Sequence, residues 1–195
     1  MTVIASIVEG DSEVAALPIL LRRVGAWLSP EKDFIDIPTP IRVRRDRFLN
    51  REDEFRRMLL LAAAKCGEFG WILVLLDADD DCPAKLGVQV LERARSIVPH
   101  RRVSVVLANR EYEAWFLASA ESLHGRRGFV FDSPKNFDAE LPRDAKGWLG
   151  ERMASGTYRQ TTDQAAFSAL MDLQQANERS RSFRKLCSEW SKQMA

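Results

Sequence analysis

Two short apolar runs, each ending in a cluster of acids, constrain this chain more than any other feature. Val3 to Val8 leads into Glu9-Gly10-Asp11-Ser12-Glu13, and Trp71 to Leu76 leads into Asp77-Ala78-Asp79-Asp80-Asp81. Short apolar runs without alternation predict strands covered on both faces of a parallel sheet. Ligands of open parallel sheets gather outside the carboxyl ends of the strands. Carboxylates at two such ends converge on one region, where they repel unless a cation joins them. A hard divalent ion, Mg²⁺ or Mn²⁺, suits an all-oxygen donor set.

The rest of the first half alternates strand and helix signals. Thr2 to Val8 is rich in β-branched residues and reads as a strand. Val14, Leu17, Leu20, Leu21, Val24 and Trp27 recur at helical spacing, with Pro18 predicting either a late helix start or a kink. Phe34 to Val43 is extended, and Pro38 and Pro40 place it at an edge or a bulge. Phe55, Met58, Leu59, Leu61 and Ala62 mark a second helix, ended at Gly67. Pro83 suits the first turn of a third helix, carried by Leu86, Val90, Leu91 and Ala94. Val103 to Leu107 predicts a fourth strand and Glu111 to Ala120 a helix. The alternation implies an α/β fold: a Rossmann-like parallel sheet with helices on both faces. From about His124 the pattern loosens into a Gly- and Pro-punctuated stretch, then a helical tail from about Asp163 to Trp190. The predicted organisation is an α/β domain over 1–122 and a loop-rich, helical C-terminal extension over 123–195, packed on it.

Composition narrows the function classes. A net charge of +1 offers no global field for nucleic acid, so any such contact must rest on local patches. Cys66, Cys82 and Cys187 lack paired spacing and read as reduced thiols, without a zinc motif. His100 and His124 stand far apart and support neither zinc nor a Ser-His pair. The apolar start is too short for a membrane span and lacks the basic flank of a signal peptide, so no membrane contact and a cytoplasmic location are expected. The oligomeric state is open, a homo-oligomer included.

Glu9 directly follows the first strand, and Glu13 falls in or near the first helical turn behind it. Asp77 and Asp79, two apart, point the same way if that segment is extended. Acids at helix starts also favour the positive end of the helix dipole, which accounts for Asp11, Asp80 and Asp81 without any ligand. Capping explains one acid per helix, not a pair behind the strongest strand. Asn109-Arg110-Glu111-Tyr112-Glu113 adds acids behind a further strand.

These residues carry a resemblance. Glu9-Gly10-x-x-Glu13 behind the first strand, then a strand ending Leu76-Asp77-Ala78-Asp79-Asp80, is similar to the TOPRIM domain, and within it to the OLD (overcoming lysogenization defect) nuclease branch. Arg110 to Phe116, Tyr158, Asp163-Gln164, Met171-Asp172-Leu173 and Ser180 to Phe183 resemble a small bacterial TOPRIM-like family often encoded beside an ATPase. The resemblance implies a nuclease that hydrolyses phosphodiester bonds of DNA or RNA with two Mg²⁺ or Mn²⁺ ions, the effector of an ATPase-linked phage defence. It implies Glu9 as general acid/base or metal ligand, and Asp77 and Asp79 as Mg²⁺ ligands. Glu13 and Glu113, with Glu111 behind them, match the acids holding a second metal, and Lys146, or else Lys135, the lysine facing the substrate. The alternative is a regulated metal-binding subunit of an ATPase complex without catalysis of its own. A Mg²⁺-dependent phosphatase is a third reading, weakened because its aspartate nucleophile would stand where Glu9 does.

Arg42, Arg44 and Arg45 belong to the densest basic run, which either meets nucleic-acid phosphates or forms a solvated face paired with Asp46, Glu52, Asp53 and Glu54. Trp148 and Trp190 are candidates for a partner surface.

Overall fold

A computed structural model of the chain describes residues 2–32, 34–132 and 137–195. Its centre is a parallel five-stranded sheet, made by β1 (Thr2–Val8), β2 (Ile35–Asp36), β3 (Ile41–Arg42), β4 (Trp71–Asp77) and β5 (Arg102–Ala108). The order is β2-β1-β4-β5, with β3 also pairing β1. The expected second strand is thus two short pieces at the edge beside β1, pairing as Thr2 with Ile35 and Ile7 with Ile41. Pro38 and Pro40 lie between the pieces, where a ring replaces the N–H a ladder needs.

The pleat sends alternate residues of each strand into two cores. Trp71, Leu73 and Leu75 of β4, with Ile4 and Val8 of β1, face α1 (Asp11–Leu28) and the C-terminal helices. Ile72, Val74 and Leu76, with Ala5 and Ile7, face α3 (Glu52–Cys66) and α4 (Pro83–Ile97). Both faces are covered, as the unbroken apolar runs require. Helix α1 runs through Pro18, so the late start is not adopted. The missing N–H leaves the Val14 carbonyl without its usual partner. Helix α3 ends at Gly67, whose φ of 68° suits glycine, and a short α2 (Arg45–Asn50) precedes it.

The segment expected to be one helix from Glu111 is later and broken, as α5 (Ala114–Ala118) and α6 (Ala120–Leu123). A short α7 (Ala145–Glu151) follows. The tail is three helices, α8 (Gln160–Leu170), α9 (Leu173–Arg179) and α10 (Arg181–Met194). Its breaks have a local cause. Asp172 accepts from the Gln175 N–H at 2.9 Å and Ser180 from the Phe183 N–H at 3.2 Å, so each starts a new helix.

Helix α10 binds the tail to the sheet. Phe183, Leu186, Trp190 and Met194 form its buried stripe. Trp190 is fully buried, meets Trp71 edge-on at 6.0 Å and donates its indole N–H to Ser29 Oγ at 3.1 Å. It therefore offers nothing to a partner, contrary to expectation. Trp148 is half-buried and stacks on Phe137 with ring centres 5.0 Å apart. Gly25 lets α1 approach, since a side chain there would press on the Trp190 ring at about 3.0 Å.

Trp190→Ala should therefore cost about 3–5 kcal/mol in urea unfolding, still in one transition. A cost below about 1 kcal/mol, or separate transitions for sheet and tail, would contradict this packing.

Candidate metal and phosphate site

The strand order reverses direction between β1 and β4. The chain leaves β1 toward β2 and β3, then crosses back to lay β4 on the other side. A crevice opens at the carboxyl ends of such a strand pair, because the crossover helices depart to opposite faces. Glu9 follows β1 there, and Asp77 ends β4.

Asp77 is the centre of an acidic cluster. Its Oδ1 accepts the Tyr112 backbone N–H at 2.8 Å. Burial pushes its pKa well above the ordinary aspartate range, with Glu113 the strongest charge adding to the shift, Lys146 opposing it, and Glu13 and Glu9 adding more. Glu113 is fully buried. Its Oε1 accepts from the Tyr158 hydroxyl at 3.2 Å and from Gln164 Nε2 at 3.1 Å, while its Oε2 lies 3.6 Å from Lys146 Nζ. Burial raises its pKa to about 7 against the pull of Lys146. Glu13, also buried, accepts on Oε1 from the same Gln164 Nε2 at 2.9 Å. The second oxygens of Glu9, Glu13 and Glu113 are buried without a hydrogen-bond partner.

Glycine 10 has a definite role here. It is the extended N-cap of α1, and a Cβ at this position would collide with the carboxylate of Glu13. The Glu-Gly pair thus lets Glu13 fold back over the helix start toward Glu9.

Glu111 is engaged on both oxygens. Oε1 pairs with Lys146 Nζ at 3.0 Å, and Oε2 accepts the backbone N–H groups of Ala145 at 2.8 Å and Lys146 at 3.2 Å. Burial disfavours the Lys146 ammonium, but Glu113 and Glu111 outweigh it and raise its pKa, so it is a fixed positive charge.

The outer rim differs from the expectation. Asp79 has a φ of 51°, so Asp77 and Asp79 do not share an extended segment. Asp77 points inward, whereas the Asp79 side chain is exposed and 3.4 Å from Arg45. The Asp79 N–H donates to the Arg110 carbonyl at 3.0 Å, and Arg110 also has a positive φ of 65°. Such backbone strain tends to collect where function demands it. Asp79 still bears on the site, because its charge, after burial, is the chief cause of the raised pKa of Glu9.

Arg45 belongs to the protein's own frame rather than to a phosphate-binding face. Its side chain is only 12% exposed. It donates to the Asp77 carbonyl at 2.9 Å, the Ala78 carbonyl at 3.3 Å and Asp81 at 2.6 Å, clamping the end of β4. Arg42 pairs with Asp11 at 2.9 Å while staying half exposed, and Arg44 is exposed at the start of α2. Across the crevice, exposed Arg143 pairs with Asp80. Lys135 lies outside the described residues.

Among the described residues, no group of three His, Cys, Asp or Glu side chains is arranged to hold a metal ion. The donors nonetheless suit a hard dication in kind, being buried carboxylate oxygens without a hydrogen bond. Lys146 supplies positive charge to one of these acids, Glu113, and to Glu111 beside it. Sequence reasoning missed the roles of Tyr158 and Gln164. The available signal was Gln164 on the apolar stripe of α8, in phase with Phe167 and Met171.

Without divalent ions, stability should fall as pH rises from about 4.5 to about 7, since folded Glu113 holds its proton more tightly than the unfolded chain does. Asp77 and Glu9 shift in the same sense. Thermal unfolding across this window should show the decline, and Glu113→Gln should make it shallower, leaving the part due to Asp77 and Glu9. A wild-type profile that rises over the window would contradict the buried carboxyl.

No curated protein and no solved structure matches the sequence. The family described as a domain of unknown function, DUF4276, matches residues 8–190, from the end of β1 to Trp190. That range contains every acid of the cluster together with Lys146, Tyr158 and Gln164. The chain belongs to the DUF4276 family.

Proposed function

We propose that the protein is a Mg²⁺- or Mn²⁺-dependent nuclease that hydrolyses phosphodiester bonds of DNA or RNA. The observation that carries this reading is the set of buried carboxylate oxygens of Glu9, Glu13 and Glu113 that lack a hydrogen bond, gathered around Asp77 at the sheet's switch point. Buried like charges are costly, and a dication would offset their mutual repulsion. Asp77, Glu13 and Glu113 would hold the ion, with Glu9 and Asp79 at its solvent side. The TOPRIM resemblance supplies the reaction class and the second ion, and on that resemblance alone the setting is phage defence beside an ATPase.

Bound there, the dication supplies Lewis acidity toward water and the departing oxygen. The chain's own residues do the rest. Glu9 is half-buried with a pKa raised by burial and by Asp79, which suits a group that takes a proton from the attacking water or returns one to the leaving oxygen. The Tyr112 N–H fixes the Asp77 carboxylate. Lys146, charged beside Glu111 and Glu113, would meet a substrate phosphate at this edge. Arg42, Arg44 and Arg143 border the crevice and would meet backbone phosphates on either side.

Purified protein should cleave plasmid DNA or a structured RNA only with Mg²⁺ or Mn²⁺. Glu9→Gln should slow cleavage by about 10²–10⁴-fold at unchanged substrate affinity. Equal cleavage by wild type and variant, or none with any polynucleotide, would sink the nuclease reading. Substrate binding should weaken with salt, and Arg42→Ala should lower the log–log slope by about 0.9 per lost duplex phosphate contact. An unchanged slope would place the phosphates elsewhere.

A further inference from the structure

We propose that Gln164 is a positioning residue of this site, a neutral bridge that sets the spacing of Glu13 and Glu113 through one oxygen of each and leaves the other oxygen of each for a cation. The proposal rests on the metal-binding reading above. Glu13 comes from the first turn of α1 and Glu113 from the turn before α5, far apart in sequence. The single Nε2 of Gln164 reaches both, at 2.9 Å to Glu13 Oε1 and 3.1 Å to Glu113 Oε1. An amide nitrogen carries two hydrogens, so each carboxylate receives one. In both acids the bridged oxygen is Oε1, and in both Oε2 is buried without a hydrogen bond, that of Glu113 lying 3.6 Å from Lys146 Nζ.

The chemistry of the bridge matters as much as its position. A lysine at 164 would neutralise one acid and remove the demand for a cation. A glutamine satisfies one oxygen of each acid and leaves both charges in place. Gln164 is itself fully buried, and its Oε1 has no hydrogen-bond partner. Turned over, the amide would set its carbonyl oxygen against two carboxylate oxygens, so the acids fix its orientation and leave its own acceptor unsatisfied. Tyr158 adds a second donor to Glu113 Oε1, so Glu113 is fixed on that oxygen from two directions. The Tyr112 hydroxyl shares a hydrogen bond with Ser168 Oγ at 2.9 Å, which ties the next turn of α8 to the Asp77 side of the site.

The test uses the full chain in two arms. In metal-free buffer, ¹H–¹⁵N spectra should contain one slowly exchanging side-chain NH₂ pair that disappears in Gln164→Leu. That pair should shift in both Glu13→Gln and Glu113→Gln. A signal indifferent to either acid overturns the bridge. In the second arm, Mn²⁺ binding is followed by the paramagnetic resonance of the free ion. Gln164→Leu should weaken it by roughly 10–100-fold, as expected for a residue that orients ligands from behind. Gln164→Lys should abolish Mn²⁺ binding and raise the metal-free melting temperature, an outcome that separates loss of the site from loss of the fold. Equal Mn²⁺ affinity in wild type and Gln164→Leu overturns the positioning role while leaving the metal reading intact. Failure of the wild type to bind Mn²⁺ overturns the metal reading, and the amide signal in the first arm then decides the bridge.

Discussion

The carboxyl group of Asp77 ends the central strand of the sheet, half-buried and within the fields of Glu9, Glu13 and Glu113. At an effective dielectric near 20, two unit charges 4 Å apart repel by about 4 kcal/mol, so such a cluster strongly opposes its own ionisation. What the protein sets against this is specific: the Tyr112 N–H on Asp77, the Tyr158 hydroxyl and Gln164 amide on Glu113, and the Lys146 ammonium. These groups account for how the acids are held, and the raised pKa values of Asp77 and Glu113 show that the compensation is incomplete.

The compensating groups come largely from outside the alternating β/α half. Lys146 stands at the start of α7, Tyr158 in the segment before α8, and Gln164 within α8. Helix α8 packs against α1, and α10 closes the same face through Trp190. The sheet thus brings the acids together, and the C-terminal helices fix their orientation. The electrostatic and packing roles of that segment are inseparable, because the helices that bury the acids also carry the donors that satisfy them.

Much of this was legible in the sequence. The runs Val3–Val8 and Trp71–Leu76 name two adjacent central strands, since only strands buried on both faces are apolar without alternation. Residues immediately behind such strands must share an edge, which is why Glu9, Glu13, Asp77 and Glu113 meet. Other features had no distinct local signal. Asp79 turns into a left-handed conformation that aspartate tolerates, so its spacing from Asp77 misled. Arg45 looks like its basic neighbours, and only the start of α2 folds it back onto the carbonyls of Asp77 and Ala78. Asp172 and Ser180 are good N-cap residues, but surface helices contain the same types without breaking. Gln164 shows as a polar residue on an apolar stripe, yet its two partners are set by tertiary contact alone.

The account stands on a divalent cation completing what Lys146 and the donor groups leave uncompensated. Anomalous diffraction from crystals soaked in Mn²⁺ tests this most directly. The prediction is a peak bonded to Asp77 and at least one of Glu9, Glu13 and Glu113, with Lys146 drawn away from Glu113. Saturating Mn²⁺ with no peak in the crevice, and Lys146 still beside Glu111 and Glu113, would contradict it.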